Sequence, residues 1–527
     1  MASPLKSFTL NSPGTLGLNT QDEDKAQDPQ YCTEALNCVI SKNGLLESRQ
    51  GAKGTNSSAA TGTPDLEVVY SYITDAGVEN IISAGGNKIF SGTAVLVDRS
   101  DGTALGASDD NWQFQNYKGE VFGYQSGHDP IYWDGAVADF DLLSNKGALT
   151  ITGNTVASPT VVTTSAPHGL TNGQTVEISG SDSTPVIDGT RVITYISPTT
   201  FSVAVNVTVA GTTGTVGVAV GLVQSKCHLS AYGRSWVVDT TTPSQINYSD
   251  LLVPEDFING SAGTIDLNSV WKTSNDTITA LSVHNNNLII FCQRSIVIYA
   301  NADDVTNLSL VEVISSNGCI ARDSIQTIGN DIFYLANDGV RSLARTVIQD
   351  NMPLGEISAP IRDDMITLIN AEDTDLIRST YNEQQGFYVI NFPTSGKEYV
   401  CDVRRAKEGI YRWTLWDIGS FGLSTSNSTD DELYFGMAGG FLAQYKEYND
   451  VDTSDGDNDL SYIVRYRSCW IDSGLQSVKG VWKKAVWYVQ SFINITLTTT
   501  WAYDFDTNES SYSKDISGGD VPIYGTA

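Results

Sequence analysis

The sequence predicts an all-β protein. Its body is propeller-like, with about six or seven β-meander units, an inserted small β-barrel or sandwich domain, and a C-terminal β element. Three observations predict this. First, short β-branched and aromatic runs are broken throughout by Asn, Asp and Gly, with 24 Tyr and 47 Gly among 527 residues. Strands joined by tight turns are written this way. Second, a strand–turn–strand–turn–strand unit recurs, and from residue 229 onward its copies begin about 45–50 residues apart, the spacing of propeller blades. Third, one stretch, 148–222, breaks both the texture and the period.

Residues 1–147 hold an N-terminal arm and the first blades. "SPGTLGLN" (12–19) superficially resembles a phosphate loop. The Gly14–Gly17 spacing is not GxGxxG, and no Lys-Ser/Thr follows, so its glycines are expected to serve backbone geometry as the arm packs along the body or a neighbouring subunit. "DPQYCTEALNCVI" (28–40) predicts a short helix, with Asp28 as cap and Pro29 in the first turn. Asn43–Gly44 marks a tight turn, and "LLESR" begins the first strand. Units follow at 80–97 and 116–135.

Residues 148–222 contain no Lys and no Trp, a single Arg (Arg191), and 17 Thr. Alternation in "QTVEIS" puts Val176 and Ile178 on one face, and "TFSVAV" does the same for Phe201, Val203 and Val205. "TNG" and "DGT" supply turns, so a small antiparallel barrel or sandwich is predicted. Residues 223–460 hold the remaining blades, in units at 229–250, 280–301, 325–345, 381–403 and 431–448. Leu288–Cys292 is apolar on consecutive residues, as expected of a strand covered on both faces by neighbouring blades. "SAPIRDDMITLINAED" (358–373) predicts a helix, because Ile361, Met365 and Ile369 lie four apart. Residues 461–527 carry long alternating strands that are expected to pack on the body, followed by a polar tail.

The charge excludes one broad class of function. With 61 Asp plus Glu against 31 Lys plus Arg, the net charge is −30. No broad basic surface is available to hold nucleic acid by counterion release. A protein that touches DNA without gripping it is still allowed, because an acidic wall repels phosphates.

The chemistry-bearing motifs fail one by one. Seven scattered cysteines (Cys32, Cys38, Cys227, Cys292, Cys319, Cys401, Cys469) form no CxxC, and predict reduced, buried thiols made in a cytosol. The start, "MASPLKSFTL", has no apolar export core, and no run is long enough to span a membrane. The acidic stretch 449–461 puts Val451 and Tyr462 where a calcium loop needs carboxylates. The pairs Asp303–Asp304, Asp363–Asp364 and Asp430–Asp431 read as solvated surface. His128, His168, His228 and His284 have no metal spacing, and GxSxG is absent. The basic–aromatic runs "RYRSCW" (465–470) and "VWKKAVWY" (481–488) read as alternating strands. No catalytic, cofactor-binding or metal residue is predicted, and no cofactor.

A resemblance emerges from segments taken in order. Gly17–Leu18–Asn19 precedes an Asn-Gly-Leu-x-x-Arg-x-Gly pattern, here with the arginine one residue later at Arg49. "GRSWVV…INYSDLLVPEDF", "TSNDTITALSVHNNNLIIFCQRSIVIY" and "NDIFYLANDGVRSL" follow. Together they resemble the tail nozzle, or packaged-DNA stabilisation, family of short-tailed bacteriophages, over most of residues 10–345 outside the insert and more weakly beyond. The 148–222 stretch is similar to a β module common in phage structural proteins.

The resemblance implies a structural virion protein, not an enzyme. It implies a homo-oligomeric, hexameric ring at the distal end of the tail, assembled in the host cytoplasm. Its partners would be an adaptor ring and tail fibres or tailspikes, and dsDNA would pass through without specific binding. Acidic residues are then expected to line the lumen. The alternatives are a propeller-type tail carbohydrase and a non-catalytic receptor-binding tail protein.

Overall fold

The computed structural model describes residues 14–24, 26–41, 44–100, 111–218, 221, 223–271, 276–315, 317–344, 355–426, 431–446, 451–453, 459–471, 486–489, 491, 493–503, 508–518 and 523–526. These are nearly all strand and turn. Six blades form a propeller-like ring: five are four-stranded sheets, and the four strands of the fifth are extended by arm and C-terminal strands into a seven-stranded sheet. The first runs Val68–Ile73, Glu79–Gly85, Lys88–Ser91 and Val97–Asp98. The second runs Gln113–Tyr117, Glu120–Tyr124, Ile131–Trp133 and Asp141–Leu142. The third is His228–Ala231, Arg234–Val238, Gln245–Tyr248 and Gly263–Asp266. The fourth is Ile278–His284, Asn287–Cys292, Ser295–Ala300 and Ser309–Ser315. A three-stranded meander, Gln326–Ile328, Asp331–Ala336 and Gly339–Ser342, stands between the fourth blade and the fifth. The fifth is Arg378–Asn382, Phe387–Phe392, Lys397–Asp402 and Arg412–Trp416.

The sixth blade joins both ends of the body. Gly422–Thr425, Leu433–Gly436 and Leu442–Lys446 come from late in the chain, and Gly51–Gly54 adds the outer strand, with Lys53 opposite Gln444. Long-range strand pairing of this kind ties off a ring whose blades are otherwise local. Packing between blades completes the closure. One apolar cluster joins blades one and two around Tyr72, Trp112 and Trp133. Tyr124 and Val237 join two to three. Trp236, Phe291 and Tyr334 run from three through four to the meander. Phe333 and Tyr388 link the meander to five, Val389 and Phe435 link five to six, and Leu442 and Phe90 link six back to one. Leu288–Cys292 is buried at every residue, as its unbroken apolar run predicts.

The connection from blade two to blade three contains a closed six-stranded barrel, Leu149–Asn154, Thr160–Thr164, Thr175–Ser179, Gly189–Ser197, Thr200–Val203 and Thr215–Val218. It has its own core, in which Val176, Ile178, Phe201 and Val203 point inward as their alternation predicts. The helix expected near 358–373 is present as Arg362–Ala371, with Ile361, Met365 and Ile369 buried.

The helix expected at 28–40 does not form. Tyr31–Leu36 and Cys38–Ile40 are strands. Asp28 still organises a turn by accepting from the Gln30 amide. From Tyr31 on, however, every strand edge finds a partner. Gly17–Leu18 pairs in parallel, Arg465–Ser468 pairs antiparallel, and Leu36 meets Leu415 of the fifth blade. Tertiary pairing overrides a local capping signal.

The segment 451–453 pairs with 459–461, and the rest of the supposed calcium loop, including Gly456, lies outside the described residues, as does the Val481–Ala485 part of the second basic–aromatic run. Ile495–Trp501 pairs with Ser510–Ile516, and Val486–Val489 with Ile523–Thr526.

Candidate functional site

The opening arm is architectural. Gly17 has φ +84, and a Cβ there would lie 2.7 Å from the Trp413 amide nitrogen. Only glycine lets the arm approach the fifth blade this closely, and the space a phosphate would need is filled by protein backbone. The arm then crosses to the helix start. The Thr20 amide donates to the Pro360 carbonyl (2.9 Å), and the Thr20 hydroxyl donates to Asp364 (2.7 Å).

Arg49, the displaced arginine of the family-like pattern, is the centre of this region. Its side chain is fully buried. Nε donates to Asn37 Oδ1 (2.8 Å) and Nη1 to the Gln50 carbonyl (2.9 Å). The guanidinium lies 4.0 Å from the centre of the Tyr462 ring, whose hydroxyl donates to the Arg49 carbonyl. Asn37 continues the network to Asp417 (2.6 Å) and the Ile463 carbonyl (2.8 Å). One cation therefore joins the arm, the fifth blade and the C-terminal segment.

Nearby, Glu398 is buried, accepting from the amides of Ile418 (2.9 Å) and Ser420 (2.8 Å) and from the Ser420 hydroxyl (2.8 Å). Burial outweighs these bonds and lifts its carboxyl from 4.5 to about 7. Between those values the native state holds a proton that the unfolded chain has released. Glu398's own contribution to stability therefore falls as pH rises from about 4.5 to about 7. The buried imidazole of His228, lowered from 6.5 to about 3, contributes in the opposite sense, so the effect is read as a difference: in urea melts across pH 4–8 the stability of the wild type relative to Glu398→Gln should fall through that window.

The propeller axis is closed at one end. Residues at or just before the first strands of blades two and three, the meander and blade five are stitched together there. Asn111 Oδ1 accepts from Arg322 (2.6 Å) and from Arg378 (2.7 Å). Asp323 accepts from both guanidiniums, with Arg322 Nη2 at 2.7 Å. Arg322 Nη1 also donates to the Lys226 carbonyl (2.5 Å). Beside this cluster is a polar cavity of about 140 Å³ lined by Thr277, Thr279 and Gln293, the volume of a handful of waters.

A larger pocket, about 340 Å³, opens at the opposite end, between the turns of blades one, two and three. Glu120 and Glu255 reach into it, which raises the question of a glycosidase pair. The Lys146 ammonium stands between them, 2.5 Å from Glu120 and 3.6 Å from Glu255. It fills the space where a scissile bond would lie, and it packs on the rings of Phe122 and Tyr132.

The other chemistry-bearing residues serve local structure. Asp304 caps its own turn through Thr306 and Asn307, and Asp303 accepts from Asn286. Asp363 and Asp364 meet the arm, Asp431 accepts from the Gln384 amide, and Asp430 lies outside the described residues.

His128 belongs to blade two, His168 to the barrel, and His228 and His284 to blades three and four. Burial pulls the His228 imidazole down to about 3. All seven cysteines are free and buried, and burial pushes the thiols of Cys32, Cys38, Cys227 and Cys292 up to about 12. Such thiols are poor nucleophiles. Among the described residues no group of three or more His, Cys, Asp or Glu side chains is placed to hold a metal ion, and no helix is long and apolar enough to cross a membrane. Sequence reasoning missed the Arg322–Asp323–Arg378–Asn111 cluster, because its members are spread over 267 residues with no local pattern.

No protein-family model matches the chain, and no curated protein sequence matches it. Among solved structures it is similar to PorZ, a surface component of the type-IX secretion system of Porphyromonas gingivalis, at 10% identity and a TM-score of 0.35. That match covers 89% of this chain and 48% of PorZ, so the chain spans about half of PorZ's length. The apo AztD structure from Citrobacter koseri matches at 9% identity and a TM-score of 0.32, covering 66% of this chain and 88% of that one. The endosialidase of phage phi92 matches at 10% identity and a TM-score of 0.28, covering 90% and 88%.

Proposed function

We propose that this chain is a structural, non-catalytic component of a short phage tail, a nozzle subunit whose copies form a ring that retains packaged DNA and lets it leave. The observation that carries this reading is where the nozzle-like segments go in the fold. Gly17 and Arg49 are packed against other parts of the chain. They bind the arm, the fifth blade and the C-terminal segment to one another, as a subunit under mechanical load requires.

Two further features support it. The propeller's own axis is closed by the Asn111 cluster, so a DNA path has to run between copies. The turns at the open end carry Asp75, Glu120, Asp134, Glu255, Asp303 and Glu383, which would repel phosphates if that end faced a lumen. In this reading the partners are further copies of the chain, an adaptor ring and tail fibres or tailspikes, and the protein resides in the virion. The rival carbohydrase reading lacks a usable carboxylate pair in the pocket that holds Glu120 and Glu255, because Lys146 stands between them. Electron microscopy of the purified full chain tests the proposal. Hollow six-membered rings are expected, and a monodisperse monomer at micromolar concentration would refute it.

A further inference from the structure

We infer that the loop after the third strand of blade three, together with the acidic pocket beside it, is a docking site for a separate protein that presents a basic, aliphatic segment. The loop, Leu251–Ile258, displays an apolar surface: Leu251, Leu252 and Ile258 are each about half exposed, at 49%, 55% and 48%, and Val253 adds to them. Contiguous exposed aliphatic residues of this kind mark interaction surfaces.

The display is held in place against strain. Leu252 has φ +64, a left-handed conformation that a branched, bulky residue rarely adopts. Its amide donates to the Gly233 carbonyl (2.8 Å), and its carbonyl accepts from Lys118 Nζ (3.1 Å). The Asp250 amide closes the loop onto Asp256 (2.7 Å). These bonds fix the backbone, while the two leucine side chains it carries lie over Gly233 and stay about half exposed. Such outliers concentrate where a surface is used.

The neighbouring pocket supplies the electrostatic half of the site. Leu252 and Val253 line it together with three carboxylates, Asp75, Glu120 and Glu255, and two ammonium groups, Lys118 and Lys146. Lys146 engages Glu255 through Oε1 only. Glu255 Oε2 is buried and, among the described residues, has no hydrogen-bond partner. An unpaired carboxylate oxygen at the base of an open pocket calls for a donor from outside. A lysine or arginine head would supply it, while its stem and flanking aliphatic residues cover Leu251 and Leu252. Charge complementarity selects a different protein as the occupant. A second copy would bring the same acidic excess of a −30 chain to the contact.

The test uses the full chain and two synthetic peptides of equal charge, one alternating lysine with leucine and one alternating lysine with serine, followed by fluorescence anisotropy. The lysine–leucine peptide should bind at least tenfold more tightly than the lysine–serine peptide. The double variant Leu251→Ser, Leu252→Ser, whose changes are at exposed positions, should erase that difference. Glu255→Gln should weaken lysine–leucine binding at least fivefold, whereas Glu47→Gln, an exposed acid elsewhere, should leave it unchanged. Equal affinity for both peptides, or no effect of the leucine variants, would mean simple charge attraction and overturn the inference. A dimer of the chain that the leucine variant dissolves would make a second copy the occupant, and would overturn it too.

Discussion

Asp323→Ala should lower folding stability by about 3–5 kcal/mol, the largest single-residue effect expected in this molecule. Asp323 is the only carboxylate in the described axial cluster that touches both Arg322 and Arg378. The two guanidinium side chains are almost entirely buried, at 5% and 6% exposure. Removing their shared counter-charge leaves two cations in a low-dielectric site with neutral acceptors, the Asn111 side chain and the Lys226 carbonyl among them. Asp323→Asn keeps the shape and one acceptor oxygen, so it should cost less than the alanine variant but still most of the charge pairing. Equilibrium urea denaturation reads both. Because Asn111, Arg322 and Arg378 belong to blade two, the meander and blade five, loss should appear as one cooperative transition at lower urea, not as a separate early phase. An Asp323→Ala protein as stable as wild type would show that the axial network does not hold the ring.

The second large effect belongs to Arg49. Arg49→Ala should cost about 3 kcal/mol, the range for removing hydrogen bonds to a buried charge and leaving their acceptors unpaired. Its reach is longer than its energy suggests. Asn37, Asp417 and Tyr462 all arrange themselves around the guanidinium or its neighbours. Arg49→Lys keeps the charge, but it cannot reproduce the planar fork that meets Asn37 and Gln50 while stacking on Tyr462. It should therefore recover less than half of the loss. Limited proteolysis should cut the Arg49→Ala protein faster within 459–471, where the C-terminal segment crosses the arm, while the barrel core stays resistant. Unchanged cleavage there would separate Arg49 from the anchoring of that segment.

Much of the fold was legible because its signals are local. The first strands of the later sheets begin at His228, Ile278, Gln326, Arg378 and Gly422, which reproduces the repeat seen in the turn residues. A small barrel or sandwich was visible from alternation and turn residues, and the structure closes it as a barrel with Val176, Ile178, Phe201 and Val203 in its core. The failures share a cause. Tyr31–Leu36 follows a plausible cap and first-turn proline, Asp28 and Pro29, yet its neighbours in space come from residues 17–18, 415 and 465–468. Nothing within a helical window reports them. Gly51–Gly54, three small residues and a lysine in sequence, becomes the outer strand of a blade whose other strands come from Gly422–Lys446.

The candidate sites were less legible still. Arg322 and Arg378 read as ordinary charged residues near strand starts. The "DLLVPEDF" run could be quoted as family-like, but its sequence does not reveal that Leu252 sits at positive φ with its side chain half exposed. Arg49 is the instructive middle case. The family-like pattern singled it out as displaced by one residue, and the structure gives the displaced position a full set of partners. Residues 46–48 form the outer strand of a hairpin with 38–40, and Arg49 follows it, where its side chain turns inward to Asn37.

A reconstruction of the assembled ring by electron microscopy tests the central claim most directly, because it shows both the DNA path and the surface that lines it. The account predicts a lumen bounded by several copies, with the turns that carry Asp75, Asp134, Asp303 and Glu383 toward it and each propeller's own axis shut by Asn111, Arg322, Asp323 and Arg378. A lumen lined mainly by lysine and arginine, or a duplex running through a single propeller, would contradict it.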